Sequence, residues 1–369
     1  MSRPAKALID LNALRHNVAL ANQLAPQSRT MAIIKANAYG HGAVAVARAI
    51  EDLVPAFGVA CTEEALELRE SGIVKPVCLL EGAFSRDEID VAARHDFWVS
   101  VVNREQLEAV LASRPASALK IWLCVDSGMH RLGIRPEELV ATYGALNACD
   151  HVASGIVVAT HFACADELDN DFTLQQLARF KAGMAGLSGE GSIALSLANS
   201  AALLGWPECR ADWNRPGIML YGSSPFQEPN TLADQLQPVM TLKSSVIALR
   251  EVPPGETVGY GARWSARQPS RIATVAMGYG DGYPVHAPDG TPVLIRGQRC
   301  PMVGRVSMDM ITVDVTSLQD VAVGDEVVLW GSGLSVNEVA RRAATISYEL
   351  LTRMPRRVPR VYLGADLGS

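Results

Sequence analysis

From Met31 to Tyr221, short apolar runs alternate with amphipathic stretches, and this rhythm restricts the possible folds more than any other property of the chain. The runs fall at residues 31–35, 56–60, 76–81, 97–102, 119–125, 154–160, 193–198 and 217–221. Each has the length of a strand and is too short for a helix. Several are apolar throughout, as expected of parallel strands buried on both faces. The segments between them begin like helices. Thr62-Glu63-Glu64-Ala65 reads as a capping box, and Asn103-Arg104-Glu105-Gln106 and Arg135-Pro136-Glu137-Glu138 open similarly. Ala201 to Cys209 is short for the last helix. Eight strands separated mostly by helices suit a closed barrel better than a doubly wound sheet.

The texture changes near Gln235. Strands are expected from Val239, at Ile272 to Met277, Pro292 to Ile295, Met310 to Val315 and Glu326 to Leu329, with Pro-Gly and Asp-Gly turns between them. A single helical stretch, Val336 to Thr345, interrupts them. The expected fold class is therefore α/β, an N-terminal (β/α)8 TIM-like barrel at residues 1–234 followed by a mainly β domain at 235–369. A first strand at about residues 5–11 is free to pair with the second domain, and a helix over 12–24 follows it. At 369 residues the chain exceeds a usual single core, in keeping with two domains.

Composition excludes several function classes. A net charge of −6 gives no basic footprint for nucleic acid, and no apolar run reaches the length of a membrane span. The seven cysteines are odd in number and never form Cys-x-x-Cys. Free thiols in a reducing compartment follow, with no disulfide framework and no metal site, and cytoplasmic is the expected location. His161, Cys164 and Asp166 lie close in sequence but lack a second cluster of ligands. Gly278-Tyr279-Gly280-Asp281-Gly282 looks like a nucleotide loop but precedes Pro284 instead of a helix.

Within the first run, Met31-Ala32-Ile33-Ile34 leads directly into Lys35, and a polar turn with Gly40 and Gly42 comes next. The carboxyl end of a buried parallel strand is where such folds build their sites. Two readings of Lys35 stand. A partly buried amine of lowered pKa is able to form a Schiff base, whereas a solvated one extends its stem and keeps its ammonium in water.

Several motifs carry a resemblance. They are Ile34-Lys35-Ala36-Asn37-Ala38-Tyr39-Gly40-His41-Gly42, Asp126-Ser127-Gly128-Met129-His130-Arg131-Leu132-Gly133, Thr160-His161-Phe162, Arg215-Pro216-Gly217-Ile218, Val258-Gly259-Tyr260-Gly261 and Val306-Ser307-Met308-Asp309-Met310. In this order, over essentially the whole length, the sequence resembles the bacterial alanine racemases, most of all the catabolic proteobacterial type. The resemblance implies interconversion of L-alanine and D-alanine by two-base proton transfer through a pyridoxal 5'-phosphate aldimine. It also implies a homodimer with shared active sites.

Residue by residue, the resemblance makes Lys35 the Schiff-base lysine and one base, and Tyr260, from the other subunit, the second base. An imidazole such as His161 would assist that phenol, whose ordinary pKa is near 10. Arg215 would face the pyridine nitrogen and, as a poor proton donor, leave it largely unprotonated. Phosphate would be held by Tyr39, Ser200, the amides of Gly217 and Ile218, and Tyr348, with Asn199 beside them. Arg131 would bind the substrate carboxylate, with Met308 nearby and Tyr279 at the entrance. The sequence departs from the family at Cys124, where many members carry a carbamylated lysine that holds the substrate arginine. Asp309 or a small anion would then supply that counter-charge. The alternatives are a broader-specificity racemase, a pyridoxal-phosphate decarboxylase of related architecture, and a non-catalytic carrier with a barrel alone.

Overall fold

Eight short parallel strands close into a barrel: β2 (Arg29–Ile33), β3 (Ala56–Val59), β4 (Val77–Leu79), β5 (Phe97–Val101), β6 (Lys120–Cys124), β7 (Val157–Ala159), β8 (Leu195–Ser196) and β9 (Trp213–Asn214). Closure comes from β2 against β9, with Arg29 opposite Trp213 and Thr30 opposite Asn214. The computed structural model describes residues 3–187 and 192–364. Residues 1–2, 188–191 and 365–369, which include the outer ends of both expected domains, lie outside the described residues. Side chains alternate across each strand, so Trp122 and Cys124 of β6 share one face, and both line the cavity at the barrel mouth. Trp98, Trp122 and Trp213 pack with ring centroids between 5.4 and 5.9 Å apart, and of the three Trp122 lines that cavity.

A strand ahead of the barrel, β1 (Lys6–Asp10), belongs to a different sheet. It runs antiparallel to β10 (Met240–Val252) and parallel to β18 (Arg360–Leu363). Asp10 then caps the helix Leu11–Leu24, its carboxylate accepting from the amides of Asn12 and Ala13. Long strand β10 bends near Val246. Its first half pairs with β17 (Glu326–Trp330) and its second half with β13 (Ser270–Val275). β14 (Pro292–Ile295), β15 (Gln298–Val303) and β16 (Ile311–Asp314) complete the circuit from β17 back to β13. β11 (Thr257–Val258) and β12 (Trp264–Ser265) form a separate small hairpin.

Three local expectations need correction. The eighth barrel strand is Trp213–Asn214, and Ile218–Tyr221 is a 3-10 turn. A four-residue apolar run is equally compatible with a buried strand and a buried helical turn, so periodicity does not separate them. Thr62 does not cap its helix. Cys61 occupies the cap position, and the Thr62 hydroxyl donates to Glu88 instead. The helical stretch expected over Val336 to Thr345 ends at Arg342, and a second helix, Ser347–Thr352, follows Ala344 in its left-handed conformation.

All seven cysteines are free thiols. Among the described residues no helix is long and apolar enough to cross a membrane, and no group of His, Cys, Asp and Glu side chains is arranged to hold a metal ion.

Candidate active site

A cavity of about 610 Å³ opens at the carboxyl ends of the barrel strands. Lys35 lines it, two residues beyond the last residue of β2. The backbone beyond Lys35 is unusual. Ala36, Asn37, Ala38 and Tyr39 all have φ between 51° and 54°, and Gly40 continues the left-handed turn at 81°. Left-handed helix costs roughly 1–2 kcal/mol for each residue bearing a Cβ, so the surroundings must impose it. The Asn37 side chain accepts from the amide of Ala43 at 2.8 Å. Glu64 accepts from the amides of Ala36 (2.7 Å) and Ala60 (2.8 Å). From β18, Arg360 donates to the Gly40 carbonyl (2.6 Å) and Tyr362 to that of His41 (3.2 Å).

The turn delivers Tyr39 into an aromatic stack. Its ring lies 4.8 Å from Tyr221, which in turn stacks on His41 at 4.6 Å, while Tyr348 approaches Tyr39 at 6.1 Å. Tyr221 donates to the Ile33 carbonyl at 2.9 Å, tying the stack to the end of β2. Burial pushes the Tyr39 phenol up to about 12 and that of Tyr348 higher still, so both remain protonated donors at neutral pH. Gly217 permits this arrangement, since a Cβ there would fall 2.5 Å from the Tyr39 hydroxyl oxygen. Ser200 accepts from the amides of Gly217 (2.8 Å) and Met219 (3.3 Å), which leaves its own O–H to donate. Asn199 caps the helix Ser200–Gly205, accepting from Ala202, and Ile218 lies beside Gly217 on the same wall.

Arg215 is a cation without an anion. Its guanidinium donates to the Ser196 hydroxyl (2.5 Å) and the Thr160 carbonyl (2.6 Å), both neutral, and among the described residues it has no carboxylate partner. Burial lowers its pKa, yet a guanidinium starts too high to deprotonate. His161, on the same wall, is driven down to about 3 by burial and by the nearby cations Arg215, Arg131 and Lys35. Its imidazole is therefore neutral at any working pH. Arg131 sits on a loop fixed by Asp126, whose carboxylate accepts from the amides of Gly128 (2.9 Å) and His130 (3.0 Å). The Arg131 guanidinium itself reaches the cavity with no ion pair among the described residues. Burial raises the pKa of the Cys124 thiol, which supplies no negative charge to hold it.

Four sequence-derived site residues lie away from this cavity. Tyr260, Tyr279 and Met308 are 72%, 44% and 53% exposed on the mainly β domain. The loops of Tyr279 and Met308 are laced together, with the amides of Tyr279 and Gly280 donating to the carbonyls of Ser307 and Met308. Asp309 pairs with Arg357 at 2.6 Å and does not meet Arg131 within the chain.

The sequence matches the family model of the alanine racemase N-terminal domain over residues 9–225 and that of the alanine racemase C-terminal domain over 239–362. The chain belongs to the alanine racemase family. It is 52% identical to the alanine racemase of Chromohalobacter salexigens across 100% of both chains. It is also 52% identical to the catabolic alanine racemase of Pseudomonas aeruginosa, over 98% of this chain and 100% of that one. The crystal structure of the biosynthetic alanine racemase from Pseudomonas aeruginosa superposes with a TM-score of 0.93 at 48% identity, covering 98% of this chain and 100% of that one.

Alanine racemase family membership over both domains removes support from the decarboxylase reading, and the matched C-terminal domain speaks against a carrier built of a barrel alone. Sequence reasoning missed Glu64, Tyr221, Arg360 and Tyr362, which shape the lysine turn. Of these, Glu64 stands in a segment read as a helix start and Tyr221 in one read as the eighth strand.

Proposed function

We propose that this chain interconverts L-alanine and D-alanine with pyridoxal 5'-phosphate, acting as a homodimer in which each cavity is completed by the partner. Alanine racemisation and the cofactor follow from family membership across the whole chain. The observation that carries the site assignment is the set of donors without an anionic partner around Lys35. The hydroxyls of Tyr39, Ser200 and Tyr348, the Ile218 amide and the anion-free Arg215 all face one cavity. That set fits a phosphate at one end and a ring nitrogen acceptor at the other. With all its cysteines free, the chain suits the cytoplasm.

When bound, pyridoxal phosphate supplies the electron sink that makes the α-hydrogen of an amino acid acidic. The chain's residues do the rest. Arg131 grips the substrate carboxylate with its forked N–H donors and so orients the α-carbon. Lys35 takes or returns a proton at Nζ on one side, and Tyr260 of the partner subunit does so at its phenolic oxygen on the other. Arg215 would hold the ring nitrogen of the cofactor by a hydrogen bond and, as a poor proton donor, would leave that nitrogen unprotonated. His161, held neutral, adds no fourth positive charge to a cavity already containing Lys35, Arg131 and Arg215.

The test is direct. Purified protein incubated with pyridoxal phosphate should turn yellow and convert optically pure L-alanine to the racemate. A colourless protein, or one that leaves L-alanine unchanged, would contradict the proposal.

A further inference from the structure

The left-handed turn after Lys35 is gripped at both ends, but the two grips differ in what they control. Arg360 and Tyr362 hold carbonyls of Gly40 and His41, five and six residues away from the lysine. Glu64 holds the Ala36 amide, which belongs to the peptide plane joined directly to the Lys35 α-carbon. Its other oxygen holds the Ala60 amide, immediately after β3, so the carboxylate bridges the exits of two neighbouring barrel strands. Residues Ala36 to Tyr39 have no intrinsic preference for positive φ apart from Asn37, and the turn's own backbone bonds, such as Ala38 to the Ile34 carbonyl, do not engage the Ala36 amide that Glu64 holds. Lys35 needs a defined approach to the substrate if its amine is to serve as a base.

We propose that Glu64 is a positioning residue for Lys35. Its carboxylate sets the peptide plane after the lysine and hence the direction in which the amine enters the cavity. This rests on the racemase reading above. A carboxylate is the right group because both oxygens accept, whereas a glutamine would present an NH2 to one of the two amides.

The experiment compares wild type, Glu64→Ala, Glu64→Gln and, as a control on the same helix, Glu63→Gln, each loaded with pyridoxal phosphate. Three quantities are read: kcat and KM for L-alanine, melting temperature, and hydrogen exchange of peptides covering residues 35–42 and 58–62. For Glu64→Ala the expected result is a fall in kcat of about 10- to 100-fold with KM within about threefold, and faster exchange in both peptides. Glu64→Gln should lie between Ala and wild type, with faster exchange in at least one peptide, and Glu63→Gln should match wild type. If Glu64→Ala keeps kcat within twofold, or loses affinity for alanine instead of kcat, the assignment is overturned. Should Glu64→Ala not fold, Glu64→Gln decides in the same way: unchanged kcat and exchange overturn the assignment. Wild type that fails to racemise alanine would sink the functional reading and leave the role of Glu64 in the turn to the exchange data alone.

Discussion

The barrel mouth and the exposed patch on the mainly β domain were assigned to one active site, yet they are built in opposite ways. At the mouth, Lys35, Tyr39, Ser200 and Arg215 converge on one cavity, Tyr39 fixed by stacking and Ser200 and Arg215 by hydrogen bonds. On the mainly β domain, Tyr260, Tyr279 and Met308 are exposed, and hydrogen bonds tie the loops of Tyr279 and Met308 to each other. The contrast teaches that the mouth has the build of a pre-formed cofactor pocket, whereas the outer residues gain a role only under the proposal that a second copy of the chain brings them to such a pocket.

The largest expected effect lies at the mouth. Lys35→Ala should abolish the yellow colour and cut racemisation by about 10⁴-fold or more, read by absorbance and D-alanine formation. A variant that kept both would remove the lysine from its place in the account. Next comes the patch. Tyr260→Phe should lose about 10²- to 10⁴-fold in kcat while keeping the colour, because it removes a proton-transfer group and no cofactor contact. Loss of colour in Tyr260→Phe would blur the division between mouth and patch.

Arg131→Ala should act mainly through KM for alanine, raising it by about tenfold or more, with cofactor affinity unchanged. An unchanged KM would show that the carboxylate is held elsewhere. The smallest effect concerns stability. His41 is buried within the aromatic stack and held down to about 4 by burial, and His161 is held down to about 3. Above pH 6.5 each is neutral folded or unfolded and contributes nothing. As the pH falls below 6.5 the unfolded chain takes up protons first, so acid destabilises the fold, by about 1.4 kcal/mol per histidine at pH 5.5. His41→Gln should flatten the fall in melting temperature between pH 7 and pH 5, whatever its effect at pH 7. An unaltered slope would contradict the role of burial.

Much of the barrel was legible because long apolar runs such as 119–125 permit little besides a buried strand. The last two strands were harder, since β8 and β9 are two residues each and offer no pattern. Trp213–Asn214 offers a weaker apolar signal than the run after Gly217, which the fold uses as a 3-10 turn. The position of Lys35 could be read from its strand, but the left-handed turn behind it could not. Alanine and tyrosine seldom adopt positive φ, and the contacts that force it arrive from Glu64 and from Arg360, 28 and more than 300 residues away. Long-range contacts of this kind leave no local signature. Motif resemblance located Tyr260 and Met308, whereas their exposure is a fact that only the three-dimensional arrangement supplies.

The claim that two copies share each site is tested most directly by mixing two inactive proteins. Lys35→Ala and Tyr260→Phe chains, dissociated together and allowed to reassociate, should regain about a quarter of wild-type activity. Half of randomly formed dimers are mixed, and each mixed dimer has one intact site. A mixture that stays as inactive as its components, despite proven exchange of subunits, would contradict the account.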